Sequence, residues 1–133
     1  MNGIDRYIKD LACFDFLIRS LDACPEPIVI TDAQLDLPGP KIVYVNIAFC
    51  KQTGYATEEV IGRTPRMFQG KKTTENFRQS LKLALQSGQT FFGITTNHRK
   101  DGSEYVVQLF IAPVYKDNTI INYIAIQGHY DPS

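Results

Sequence analysis

Residues 91–128 read FFGITTNHRKDGSEYVVQLFIAPVYKDNTIINYIAIQG, and their texture decides the fold. Three β-rich runs, 91–99, 104–115 and 119–128, are separated by Lys100-Asp101-Gly102-Ser103 and Lys116-Asp117-Asn118. Short polar turns of this kind join adjacent antiparallel strands, so the stretch predicts a three-stranded meander. Along its last two runs both parities are apolar. Tyr105, Val107, Leu109 and Ile111 fall on one face and Val106, Phe110 and Ala112 on the other, while Ile124 and Ile126 face away from Tyr123, Ala125 and Gln127. A sheet apolar on both faces needs cover on both.

Working back toward the N-terminus, Thr73 or Thr74 caps a helix with Glu75 in its first turn, Phe77, Leu81 and Leu85 on one face, and Gly88 just past its end. A polar, turn-rich segment up to Gly70 predicts short helical turns, and residues 46–54 a two-turn helix closed by Gly54. Before it, Ile28-Val29-Ile30-Thr31 and Ile42-Val43-Tyr44-Val45 flank a Pro/Gly loop at 37–40 and read as a strand pair. Residues 4–22 place Ile4, Tyr7, Leu11, Phe14, Ile18 and Leu21 three and four apart, with Ile8 and Leu17 widening the stripe, which predicts an amphipathic helix stopped by Pro25 and Pro27. This helix packs on the domain's own sheet or against a partner chain. The expected fold is α+β: a five-stranded antiparallel sheet with short helices on one face and an N-terminal amphipathic helix over residues 1–25 that caps the 26–133 domain or dimerises it.

A chain of 133 residues holds one ordinary core, which excludes a multidomain enzyme. Fourteen basic and fourteen acidic residues cancel, so no electrostatic pull draws it to nucleic acid or to an anionic membrane surface, and neither is expected as a partner. Cys13, Cys24 and Cys50 are an odd, widely spaced set with no Cys-x-x-Cys, which suggests reduced thiols, a cytoplasmic location and neither a disulfide framework nor a metal site. Charges run through the first sixteen residues, and no apolar stretch reaches spanning length. No Ser/His/Asp or Cys/His arrangement, phosphate-binding loop or pair of catalytic carboxylates is evident, so no enzyme activity is expected.

The order of elements, taken with Ile28-Val29-Ile30-Thr31-Asp32, Tyr44-Val45-Asn46, Thr53-Gly54-Tyr55, Glu59-Val60-Ile61-Gly62 and Lys100-Asp101-Gly102, resembles a PAS domain over about residues 26–130. Gly62-Arg63-Thr64-Pro65-Arg66-Met67-Phe68-Gln69-Gly70 further resembles the flavin-binding blue-light (LOV) subgroup, whose pattern is Gly-x-Asn-Cys-Arg-Phe-Leu-Gln-Gly. Pro65 stands where that subgroup has the cysteine that adds to the flavin, and Thr64 replaces its Asn. The resemblance implies a sensory or signalling module acting through small-molecule binding, dimerisation or both, with FMN or FAD as the candidate cofactor and no photoadduct. It implies flavin contacts at Asn97, Gln127, Arg66 and Gln69, with Thr64 at the replaced position and Arg63 as an assisting phosphate partner. A second Asn of the subgroup falls at Val107. Glu59 and Lys100 match a surface ion pair across the pocket mouth. The helix at 73–88 contains no His, which disfavours haem held from it. Implied partners are a second copy, met through the N-terminal helix and the outer sheet face, and a signalling output domain or protein. Such domains commonly continue from the last strand into an output helix, and whether 126–133 ends a stand-alone module or an excised one stays open.

The residues alone leave alternatives. Asn97 and Gln127 lie on strands whose other inward residues are apolar; an unpaired buried amide costs about 1–3 kcal/mol, so each needs a ligand, the other amide, a backbone group or a water. Arg63 and Arg66 read equally as solvated charges at a helix end, and Thr64-Pro65 as a helix N-cap with Pro at its first position. Phe49, Phe68, Phe77, Leu81, Leu109 and Tyr123 are large enough to fill a core, which would make the chain a ligand-free interaction domain.

Overall fold

The periodicity of residues 4–22 predicts a helix, and residues 15–23 form one, α1. The part of that prediction before residue 15 lies outside the residues 15–130 that the computed structural model describes. Then follow β1 (Ile28–Asp32), β2 (Ile42–Val45), α2 (Ile47–Thr53), α3 (Thr57–Val60), a 3-10 turn (Pro65–Phe68), α4 (Glu75–Gln86), β3 (Phe91–His98), β4 (Glu104–Lys116) and β5 (Thr119–His129). Every predicted strand is present to within a residue or so at its ends. The five strands form one antiparallel sheet in the order β2-β1-β5-β4-β3, so the meander docks its last strand beside the first pair.

Local chemistry accounts for the joints. Asn46, almost completely buried, caps α2 by accepting from Phe49 N (3.0 Å) and also accepts from Ile28 N (2.9 Å). Its amide nitrogen donates to the carbonyls of Leu21 and Glu26, both at 2.9 Å. One side chain thus ties the end of α1, the start of β1 and the start of α2, and satisfies its whole amide in doing so. Gly54 ends α2 in the left-handed region at φ 78°, which glycine adopts without strain. Of the two candidate caps for α4, Thr74 accepts from Phe77 N at 3.1 Å.

The apolar core lies where α2, α3 and the 3-10 turn meet β1 and β2: Val29, Ile42, Val45, Phe49, Val60 and Phe68. Phe68 meets Phe49 and Tyr55 edge to face, at 5.3 and 5.8 Å between centroids. Burying side chains of this size stabilises the fold by roughly 1.5–3 kcal/mol each. The helix α4 is pinned at both ends by hydrogen bonds. Thr73 Oγ1 donates to Thr96 O on β3 (3.5 Å), Tyr123 Oη to Leu85 O (3.2 Å) and Tyr115 Oη to Gly88 O (3.1 Å). A space is left between its middle and the sheet.

The opposite face of the sheet is uncovered. Phe92, Ile94, Val106, Phe110 and Ile126 are each 40–53% exposed there. Phe92 and Phe110 touch across β3 and β4, 4.7 Å between centroids. Among the described residues, no helix meets the demand of the apolar pattern for a second cover.

Candidate functional site

The space under α4 is a cavity of about 860 Å3. Its roof is α4, its side wall the 3-10 turn and the 35–40 loop, and its floor the inner faces of β1, β4 and β5 with Asn97 at the end of β3. Phe68, Phe77, Leu81, Leu109 and Tyr123 line it rather than fill it. The volume is that of a small-molecule site, so the filled-core alternative does not describe this interior.

Five of the six residues singled out in the sequence come together here: Asn97, Gln127, Arg66, Gln69 and Thr64 all line the cavity. The strand pattern explains the two amides. Inward residues alternate along β5 as Tyr123, Ala125 and Gln127, and the β4–β5 register sets Gln127 beside Leu109. Gln127 and Asn97 are 4% and 5% exposed. Gln127 Oε1 is buried with no hydrogen-bond partner. The desolvation cost therefore stands uncompensated at the floor of a cavity, the position where a ligand donor would relieve it.

Thr64 precedes the 3-10 turn and Pro65 opens it, the predicted arrangement, but the Thr64 side chain makes no capping bond. Arg66 is exposed at the cavity's mouth. Gln69 Oε1 accepts from Arg78 Nε at 3.3 Å, and Arg78 Nη1 lies 3.8 Å from Glu75 Oε2. Arg78 and Lys82 line the cavity beside Arg66, as do the carboxylates Asp36 and Glu75, so the rim is charged with one cation in excess. Sequence reading missed Arg78 and Lys82 because it attended to the apolar stripe of α4. The signal was there: Arg78 and Lys82 are one turn apart and adjacent to that stripe.

Arg63 is not brought to the cavity. Its backbone is held at β2, with its carbonyl accepting from Ile42 N (2.8 Å) and its amide donating to Val60 O (3.0 Å), and its side chain is exposed. The expected Glu59–Lys100 ion pair forms at 2.8 Å, and the hydrogen bond from Lys100 holds the Glu59 carboxyl below its ordinary value. It bridges α3 and the β3–β4 turn without lining the cavity, which corrects its expected place at the mouth. Val107 is fully buried among the inward residues of β4.

A second depression, about 640 Å3 beside β2, differs in kind. Its polar groups are already used: Tyr44 Oη donates to Asp22 Oδ1 at 2.7 Å, and Asn46 is saturated. Burial and the Asp22 partner push the Tyr44 phenol well above its ordinary value. No orphaned group there asks for a ligand. Among the described residues no group of three or more His, Cys, Asp or Glu could hold a metal ion, and no helix is long and apolar enough to cross a membrane.

The known proteins this chain is similar to agree with that geometry. A family profile described as PAS domain matches residues 25–128. Protein TWIN LOV 1 of Arabidopsis thaliana is 33% identical over 82% of this chain and 27% of its own length, and a blue-light photoreceptor of Listeria monocytogenes 32% identical over 86% and 44%. The chain thus spans less than half the length of these curated relatives. Among solved structures, a light-oxygen-voltage domain studied with a flavin analogue superposes with a TM-score of 0.78 at 32% identity, covering 87% of this chain and 85% of that one. An RNA-binding light-oxygen-voltage receptor gives 0.79 at 28% identity, covering 86% of this chain and 32% of that one.

Proposed function

The chain belongs to the PAS domain family as a LOV-like sensory module, and from that premise we propose that it binds a flavin mononucleotide or dinucleotide in the cavity under α4 and signals its state without forming a covalent adduct. The observation that carries this reading is the pair of buried amides, Asn97 and Gln127, at the floor of a cavity with three cations, Arg66, Arg78 and Lys82, among its lining. A flavin offers the matching chemistry: a planar ring with hydrogen-bonding groups along one edge, and a phosphate at the far end. Asn97 and Gln127 would hold the ring edge, Arg66 with Arg78 and Lys82 the phosphate, and Thr64 and Gln69 the region between. Bound there, the flavin supplies blue-light absorption and redox chemistry. Pro65 has no thiol to add to it, so any signal passes without a covalent adduct, through the hydrogen bonds that answer the flavin's state.

The route outward begins at Gln127. Its side chain faces the cavity while its backbone N–H donates to Pro27 O at 2.9 Å, in the hinge between α1 and β1. Asn46 clamps the same hinge at Glu26 and Ile28. A ligand that favours one orientation of Gln127 over another biases this hinge only by its difference in affinity for the two. The output side is the uncovered apolar sheet face with the N-terminal helix, where we read a homodimer contact, itself coupled to an attached or separate output protein. The balanced charge favours a protein partner over nucleic acid, and a cytoplasmic location without catalysis fits this role.

The test is the absorption spectrum, between 300 and 600 nm, of protein purified without added cofactor and after addition of FMN. The expected result is an oxidised-flavin spectrum that blue light does not convert to an adduct and that bleaches only when an added electron donor reduces the flavin. A colourless protein that takes up neither FMN nor FAD would overturn the reading.

A further inference from the structure

The inner sheet face carries a polar ring that the flavin reading uses only in part. Asn97 stands opposite Tyr105, Thr95 opposite Val107, and Leu109 opposite Gln127, so the four polar residues surround the fully buried Val107. Side chains directly opposite on neighbouring antiparallel strands sit about 4.5–5.5 Å apart at Cβ, within reach of one another. Asn97 and Gln127 open on the cavity, whereas Tyr105 does not line it. Its hydroxyl is buried with no hydrogen-bond partner. Its ring is held by Arg99, whose guanidinium carbon lies 4.6 Å from the ring centroid. Arg99 is itself anchored, Nε donating to Gln52 O at 2.9 Å and Nη1 to Ser103 Oγ at 3.2 Å. Tyr105 is therefore a fixed post behind Asn97, with an oxygen still to be used.

We propose that Tyr105 is a positioning residue for the cavity's ligand: its hydroxyl oxygen accepts from Asn97 Nδ2, which turns Asn97 Oδ1 toward the ligand and selects one that presents an N–H. This rests on the flavin reading and names the part of the ring it would recognise, the imide N–H. The physical reason is the symmetry of the amide. Its two ends have nearly the same shape and differ only in whether they donate or accept, so an amide held by nothing offers either end. Occupying the donor end fixes the acceptor end on the ligand. Burial raises the Tyr105 phenol above its ordinary value, while the Asn97 amide and Arg99 oppose the rise. The phenol thus stays neutral at physiological pH and keeps an oxygen that an amide N–H can meet.

The test is Tyr105→Phe, which keeps the ring and its contact with Arg99 and removes one oxygen. Equilibrium affinities for FMN and for FMN methylated at the imide nitrogen are measured on wild type, Tyr105→Phe, Asn97→Ala and the double variant. Wild type is expected to prefer FMN strongly; Tyr105→Phe should lose about three- to tenfold in FMN affinity, the size of one modest hydrogen bond, and should also discriminate less against the methylated analogue. In the Asn97→Ala background the same change should do nothing. A role in packing alone would move the unfolding midpoint and leave the preference between the two flavins intact. If wild type binds FMN while Tyr105→Phe keeps both its affinity and its preference, this inference is overturned and the flavin reading stands. If wild type binds no flavin, both fall.

Discussion

The two faces of one sheet fail in opposite directions. On the inner face polar groups are buried without partners: Gln127 Oε1, Thr95 Oγ1 and Tyr105 Oη. On the outer face, large apolar groups are exposed without cover: Phe92, Ile94, Val106, Phe110 and Ile126. Each face has the composition suited to what it lacks, hydrogen-bonding atoms inside and an apolar surface outside. A filled interaction domain would show only the outer defect, and a simple binding protein only the inner one. Both occur in the same strands: Ile126 faces out and Gln127 faces in, one residue apart on β5, which is the shortest connection between a ligand and a partner that a strand can provide.

The comparison breaks most visibly at Phe110. If the outer face is a contact between copies, a charge at its centre must be buried there unpaired. Phe110→Glu is then expected to weaken self-association by about thirtyfold or more, since central apolar anchors of an interface contribute more than about 2 kcal/mol each. The monomer should lose only about 1 kcal/mol or less, because the residue is half exposed already. Sedimentation against concentration reads the first quantity and urea denaturation the second. An unchanged monomer–dimer equilibrium would leave the outer face without that occupant.

Gln127 sharpens the inner half through two effects of opposite sign. Gln127→Leu removes a buried acceptor that nothing satisfies, so the ligand-free protein should become more stable by about 1 kcal/mol. The same change removes a ligand contact, and FMN affinity should fall about tenfold. Denaturation and flavin fluorescence on one preparation give both numbers. A loss of stability in the ligand-free state would mean that Gln127 has a protein partner after all, and would remove the observation on which the cavity reading rests.

How far the sequence carried these conclusions depends on whether the deciding signal was local. Strands announced themselves by alternation and by the polar turns between them, and α4 by its cap and stripe, because such patterns belong to neighbouring residues. Asn97 and Gln127 were visible for the same reason, as polar residues in apolar strands. Arg63 went astray because its direction is set by a backbone pairing with Ile42, twenty-one positions earlier, that no local pattern encodes. Arg78 and Lys82 drew no notice in the sequence; what makes them part of the rim is the space between the sheet and α4, a helix held by Tyr115, Tyr123 and Thr73 at its ends. Tyr105 was counted as one apolar residue among several. Its hydroxyl matters only because Arg99 and Asn97 flank it in three dimensions.

The smallest expected effect lies outside both faces, at the Glu59–Lys100 pair, and serves as the control for them. Bonding from Lys100 lowers the Glu59 carboxyl from its ordinary 4.5. A carboxyl whose folded value is depressed stabilises the protein above its unfolded value, and that contribution disappears as pH falls through the folded one. Stability should therefore drop below pH 4.5 with a component that Glu59→Gln removes, and the two proteins should run parallel at neutral pH and above. Both partners are substantially exposed, at 53% and 37%, so the effect should shrink further in high salt. Because neither residue lines the cavity, Glu59→Gln should leave FMN affinity unchanged at pH 7. A change in that affinity would place the pair back at the mouth of the site and extend the inner face's polar demand to the α3 surface.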